Sequence, residues 1–280
     1  MTKVRIEALT KSFGASKALS EVSIDVASGE MVALIGASGS GKSTLIRHVA
    51  GLLAADGDSR SRIVVGEVVM QERGRLAGDA QRLRRDVGVV FQQFNLVARL
   101  KVLTNVLTGL LGRVPRWRGT LALFTRTEKQ AALRALERVG IVETAGRRAS
   151  TLSGGQQQRA AIARALVQGA KVLLADEPIA SLDPASAKRV METLAEINRA
   201  EGITVIVSLH QVEYARRYCP RTIALRDGAV AYDGPSVALT HDMLRALYGE
   251  ASDELVLPEG PLPAEPARPA PASGLETAYA

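Results

Sequence analysis

The chain is 280 residues long, 46% hydrophobic and 23% charged, with one cysteine and a formal charge of +7. That length supports one large α/β domain with a substantial core, and the single thiol, Cys219, excludes an internal disulfide. No uncharged stretch approaches the roughly 18 apolar residues of a membrane-spanning helix, and Met1 to Ile6 alternates like a strand instead of running apolar like a signal segment, so a soluble chain is expected.

Residues 3–9 and 21–27 read as β-segments, with a polar turn over residues 11–17 that carries one aromatic, Phe13. The Gly29-Glu30 turn leads into the apolar run Met31 to Ile35, a strand, and Lys42 to Leu52 is an amphipathic helix. Residues 55–62 are polar, Ile63 to Met70 is expected to be one strand, and Arg82 to Arg85 is a basic helical patch. Val87 to Phe91 is a short buried strand followed by Gln92 and Gln93.

From Asn95 to Val167 the character turns helical, and a helical insertion over about 95–167 is expected. Val102 to Leu111 is apolar, and Gly112 to Thr125 is a basic loop holding the single tryptophan, Trp117. Thr127-Glu128-Lys129-Gln130 reads as a capping box opening a helix to Val139. The α/β pattern then resumes. Lys171 to Ala175 is a buried strand, Asp183-Pro184 caps a helix to about Ala200, and Ile203 to Ser208 is a further strand. Arg221 to Tyr232 forms a hairpin turning on Asp227-Gly228. The folded domain is expected to span 1–250. Residues 251–280, rich in proline and alanine, are expected to be a disordered tail. They carry −4, which leaves +11 on the folded part. Such an excess suits nucleotide, an anionic membrane surface or nucleic acid.

Between strand and helix, Gly36-Ala37-Ser38-Gly39-Ser40-Gly41-Lys42-Ser43-Thr44 fits the P-loop pattern G-x-x-x-x-G-K-[ST]. Glycines let the backbone curl its N–H groups inward, and the helix N-terminus adds a partial positive charge, so the loop suits the phosphates of a nucleotide. Lys42 is expected to reach the β- and γ-phosphates and Ser43 to ligate Mg²⁺. A second signal is Val172-Leu173-Leu174-Ala175-Asp176-Glu177, an apolar strand ending in two carboxylates. On a strand parallel to that of the P-loop they would lie beside the phosphates. Asp176 is expected to hold Mg²⁺ and Glu177 to orient and deprotonate the attacking water.

A third signal is Leu152-Ser153-Gly154-Gly155-Gln156-Gln157-Gln158-Arg159 at a helix start. With the P-loop, this octapeptide resembles the signature of ATP-binding-cassette ATPases, and the likeness extends over residues 3 to about 235. The resemblance implies an α/β fold: a P-loop, RecA-like core with an N-terminal antiparallel β subdomain and an inserted helical subdomain. It also implies ATP and Mg²⁺ as cofactors. In that family the signature of one subunit closes over the γ-phosphate held by another, a part that falls to Ser153, Gly154, Gly155 and Gln156. Ser153 and Gln156 also form a capping box by themselves. By the same resemblance Gln92 is the glutamine that contacts Mg²⁺ and water, His210 the switch histidine that senses the γ-phosphate, and Phe13 the aromatic that stacks on adenine. Ser181-Leu182-Asp183 resembles the loop that touches the opposite subunit, and Asp183 also suits an N-cap. His48 and His241 are expected to be structural.

The runs Gly88 to Val97, Pro178 to Pro184 and Leu209 to Tyr214 resemble the ATP-binding subunit of phosphonate importers. That resemblance implies a homodimer on the cytoplasmic face of a bacterial inner membrane, docked on integral membrane permease subunits and served indirectly by a periplasmic phosphonate-binding protein. Phosphate or phosphite is an alternative cargo. Residues 94–107 would line the groove that receives the permease. The other class is a cassette powering a soluble machine, acting on DNA or on a carbon–phosphorus lyase. Long heptads and CxxC pairs are missing from the sequence, so no nucleic-acid partner is expected.

Overall fold

The run Met31 to Ile35 is apolar at every position because both of its faces are covered. In the computed structural model, which describes residues 3–57 and 60–249, all five of these residues are buried in one strand. Met31, Ala33 and Ile35 enter one core and Val32 and Leu34 enter another. That is the signature of a parallel strand packed on both sides.

In chain order, β1 (Val4–Phe13) and β2 (Ser16–Val26) form a hairpin, followed by β3 (Met31–Ile35) and α1 (Lys42–Val49). A second hairpin, β4 (Arg62–Val65) and β5 (Val68–Glu72), leads through β6 (Arg75–Leu76) and α2 (Ala80–Leu83) to β7 (Val87–Val90). Helices α3 (Val102–Leu107), α4 (Arg116–Thr120), α5 (Arg126–Arg138) and α6 (Gly154–Val167) come next. The described residues close with β8 (Val172–Ala175), α7 (Pro184–Glu201), β9 (Thr204–Ser208), α8 (Val212–Tyr218), β10 (Arg221–Arg226), β11 (Ala229–Pro235) and α9 (His241–Tyr248).

The strands make two sheets. One is antiparallel, in the order β2-β1-β4-β5-β6; the other runs β11-β10-β3-β9-β8-β7 and is parallel except for β11. One face of the parallel sheet packs on helices α3 and α5 to α9, the other on α1 and the antiparallel sheet. Because β3, β7, β8 and β9 are parallel, the residues that follow them, Gly36, Gln92, Asp176, Glu177 and His210, emerge along one edge. Within the helical layer α6 is rich in alanine, which allows close approach. A Cβ on Gly109 would lie 2.3 Å from the Arg164 carbonyl oxygen.

Several local expectations are corrected. The segment over 11–17 is not a turn: Lys11 pairs with Leu19 and Phe13 with Ser16, leaving Gly14 and Ala15 to reverse the chain. Polar residues persist there because an exposed hairpin end needs no apolar alternation. Ile63 to Met70 is not one strand, because Gly66, at φ +67°, folds it so that Val65 pairs with Val68. Phe91 lies beyond β7. The capping box on α5 uses Thr125 instead of Thr127: the Glu128 carboxylate accepts from the Thr125 N–H at 2.7 Å, and Thr125 Oγ1 accepts from the Glu128 N–H at 3.2 Å. Arg118, 2.6 Å from Glu128, draws the carboxylate back toward this register. The basic loop contains α4, with Trp117 exposed on it. The expected tail at 251–280 lies outside the described residues.

Candidate functional site

Gly36 opens the loop after β3 with φ +144°, and a Cβ there would sit 2.2 Å from the Leu225 carbonyl oxygen. Only glycine fits. Ala37 is half-buried, Ser38 and Gly39 form an exposed tip, and Ser40 folds back so that its N–H donates to the Ala37 carbonyl at 3.1 Å. The Ser40 hydroxyl is buried and has no hydrogen-bond partner among the described residues. Gly41 precedes α1, whose N-terminus has no side-chain cap and no acid in its first turn. Its leading N–H groups are therefore free for an anion. Thr44 lies in this first turn, and its carbonyl accepts from His48.

Lys42 is buried, with its ammonium donating to the carbonyls of Gly36 at 2.7 Å and Ala37 at 3.1 Å. Three ammonium protons against two such bonds leave one donor for a phosphate oxygen. Burial pushes the Lys42 pKa down, and the Asp176 and Glu177 carboxylates oppose that by favouring its charge.

From the loop, a hydrogen-bonded run crosses the strand ends. Ser43 Oγ donates to Asp176 Oδ1 at 2.9 Å, Ser208 Oγ donates to the same oxygen at 2.9 Å, and the Glu177 N–H donates to Ser208 Oγ at 2.8 Å. His210 Nε2 lies 2.6 Å from Glu177 Oε1. Glu177 holds φ +49°, an uncommon backbone state for a residue with a Cβ, and its carboxylate meets His210. A carboxylate ending there can accept a proton, and the hydroxyl and carboxylate oxygens of Ser43 and Asp176 are hard donors of the kind Mg²⁺ prefers. Among the described residues no cluster of three or more His, Cys, Asp or Glu could hold a metal alone. Few protein ligands are typical for Mg²⁺ carried largely by phosphates.

The other expected residues are placed as follows. Gln92 stands exposed just past β7, which ends beside Asp176 because the Asp176 N–H donates to the Val90 carbonyl. Phe13 is 52% exposed at the hairpin tip, its ring 5.5 Å from the Lys11 ammonium. Ser153 caps α6: its Oγ accepts from the Gln156 N–H, and Gln156 Oε1 accepts from the Ser153 N–H. Gly154 lies against Leu182, and Gly155 so close to Ser186 that a Cβ would be 2.8 Å from it. Asp183 caps α7 by accepting from the Ser186 N–H at 2.9 Å. Among the described residues no hydrogen bond joins Ser153, Gly154, Gly155 or Gln156 to the P-loop. His48 is buried in α1, and His241 starts α9. Two participants escaped sequence reasoning. Ser208 bridges the two carboxylate residues, its one signal being a polar residue closing an apolar strand two positions before His210. Tyr248, which reaches Gly36, has no local signal at all.

Residues 19–180 match the family model described as ABC transporter. The chain is 61% identical over 266 residues to the phosphonates import ATP-binding protein PhnC 1 of Cupriavidus metallidurans, covering 94% of this chain and 93% of that protein. It is 59% identical over 254 residues to the phosphonates import ATP-binding protein PhnC of Stutzerimonas stutzeri, covering 91% and 92%. Among solved structures, it is similar to a dimeric ATP-binding cassette in a post-hydrolysis state bound to ADP and Pi, with TM-score 0.71, 32% identity, and 83% and 98% coverage of the two chains. It is also similar to the ADP conformation of an ATP-binding cassette of an ABC transporter, with TM-score 0.74, 27% identity, and 91% and 98% coverage. A P-loop, two carboxylates and a histidine on one sheet edge thus accompany a match over more than half the chain, and the chain belongs to the ABC transporter family.

Proposed function

We propose that this chain is the ATP-hydrolysing subunit of a phosphonate importer, working as a homodimer beneath integral permease subunits on the cytoplasmic face of a bacterial inner membrane. The observation that carries the proposal is the unbroken run of hydrogen bonds that leads from the P-loop residue Ser43 through Asp176, Ser208 and Glu177 to His210. The cargo rests on likeness to the import proteins, and a periplasmic binding protein would deliver it to the permease.

The loop N–H groups of residues 36–44 and Lys42 hold the phosphates, and the exposed ring of Phe13 offers a face for adenine. Ser43, Asp176 and Gln92 would hold Mg²⁺, which when bound neutralises charge on the β- and γ-phosphate oxygens. Glu177 takes a proton from a water as its oxygen bonds to the γ-phosphorus, and the bond to the β-bridging oxygen breaks to release ADP and phosphate. His210 holds the Glu177 carboxylate in place and turns its remaining ring edge toward the transferred group. Ser153, Gly154, Gly155 and Gln156 of a second copy close the pocket with a helix N-terminus aimed at the γ-phosphate.

The test is reconstitution with the permease and binding protein in proteoliposomes. A phosphonate-loaded binding protein should raise Mg²⁺-dependent ATP hydrolysis and drive uptake. Hydrolysis that responds to none of phosphonate, phosphite or phosphate would remove the importer assignment. Co-purification with soluble lyase subunits instead of a permease would redirect it.

A further inference from the structure

Helix α9 ends in a tyrosine whose oxygen is aimed at the P-loop. Tyr248 is buried, and its hydroxyl accepts a hydrogen bond at 3.2 Å from the backbone N–H of Gly36, 212 residues away in sequence. Gly36 is the first residue of the loop. Its own carbonyl takes the Lys42 ammonium at 2.7 Å, and the Leu225 carbonyl leaves no room for a side chain on it. The first turn of the loop is thus clamped by Tyr248 on one peptide and Lys42 on the next.

The helix that carries this hydroxyl is itself firmly seated. Thr240 Oγ1 caps α9 by accepting from the Met243 N–H at 3.2 Å, and Leu244 and Leu247 enter the helical core. From β10, Arg226 donates to the Ala246 carbonyl at 2.6 Å, and Arg216 of α8 donates to the Leu239 carbonyl. Burial raises the phenol pKa to about 12, so the group is a neutral hydroxyl at physiological pH. Packing alone would be met by phenylalanine at this position. A tyrosine oxygen directed at a buried backbone donor does something a ring cannot, because an unpaired buried N–H is costly and a loop able to turn will turn to pair it.

We propose that Tyr248 is a positioning residue for nucleotide binding: its hydroxyl holds the first peptide of the P-loop in the phosphate-binding curl, and so couples the docking of α9 to occupancy of the loop. The proposal rests on the P-loop being the ATP site. Coupling of this kind is reciprocal, so nucleotide should tighten α9 as much as α9 favours nucleotide.

The test compares Tyr248→Phe with wild type and with Tyr232→Phe, which removes a hydroxyl bonded to the Pro235 carbonyl at 2.7 Å away from the loop. In Tyr248→Phe the Kd and KM for ATP should rise about 10-fold while kcat stays within about 2-fold. Tyr232→Phe should change neither. In hydrogen exchange, ATP should slow the α9 amides of wild type and fail to slow those of Tyr248→Phe. An unchanged KM, or a fall in melting temperature and kcat at constant KM, overturns the proposal in favour of packing alone. If Tyr248→Phe does not fold, wild-type α9 amides indifferent to ATP overturn it equally. Wild type that binds no ATP defeats the nucleotide assignment itself, a result distinct from either.

Discussion

His210 Nε2 and Glu177 Oε1 lie 2.6 Å apart, and the two residues are held there by different strands, β9 and β8. The Glu177 backbone is turned to φ +49° and pinned by its N–H to Ser208, so the carboxylate meets the imidazole without moving the sheet. Glutamine in place of Glu177 keeps size and hydrogen bonding but cannot take a proton. We expect Glu177→Gln to lower kcat by about 10³-fold, with the Kd for ATP within about 3-fold of wild type. Turnover within tenfold of wild type would move the proton acceptor elsewhere.

Ser208 serves both carboxylate residues, donating to Asp176 and accepting from the Glu177 N–H. Ser208→Ala removes both bonds and leaves that N–H unpaired in a largely buried place. The expected loss is about 1–3 kcal/mol of stability, with kcat falling about 10-fold or more because Glu177 is freed from its register. Urea midpoints and steady-state rates measure the two effects separately. A variant that loses stability with kcat intact would reduce Ser208 to a packing role.

What could be read in advance was local. Lys42 and Ser43 sit in an eight-residue pattern, Asp176 and Glu177 end an apolar strand, and His210 follows another; parallel strands then bring those ends together by topology. Ser208 and Tyr248 were not legible because their partners lie 31 and 212 residues away, and nothing in the neighbouring sequence marks a hydroxyl that bridges two strands or reaches a distant loop. The errors of register have the same origin. The run Thr127-Glu128-Lys129-Gln130 points to Thr127 by pattern, and the Arg118 to Glu128 ion pair, formed from outside that run, holds the carboxylate toward Thr125. Ile63 to Met70 is apolar almost throughout, so the fold at Gly66 is outvoted by its neighbours until pairing is seen.

Acid should weaken the P-loop helix through His48. Its ring is fully buried, with Nδ1 2.7 Å from the Thr44 carbonyl, and burial lowers its pKa more than the nearby carbonyls of Thr44 and Ala54 raise it. In the unfolded chain the imidazole titrates near 6.5. The folded value is depressed, so the stability from the neutral ring is complete above about pH 6.5 and is lost as pH falls toward the folded pKa. Between pH 7.5 and 5.5 the urea midpoint of wild type should drop further than that of His48→Gln. Equal drops would place the acid sensitivity in other groups.

Ser153 and Gln156 are occupied with each other at the start of α6, and Gly154 and Gly155 are packed on Leu182 and Ser186 of their own chain. Among the described residues no hydrogen bond joins this turn to the P-loop of the same chain. If the pocket is to be closed by it, the closing turn comes from a second copy, and a two-fold dimer then carries two composite sites. Lys42→Ala spoils the phosphate side of both sites, and Ser153→Arg spoils the closing side of both, so each homodimer should be inactive. In a mixed dimer the intact Lys42 faces the intact Ser153 once. An equal mixture should therefore recover about a quarter of wild-type hydrolysis if each site turns over independently, since half the dimers are mixed and each has one good site of two. Tandem purification with two different tags isolates the mixed species and measures ATP bound per dimer. Mixed dimers that bind no ATP at the intact pair would mean that each chain closes its own pocket, and the two-copy site would have to be abandoned.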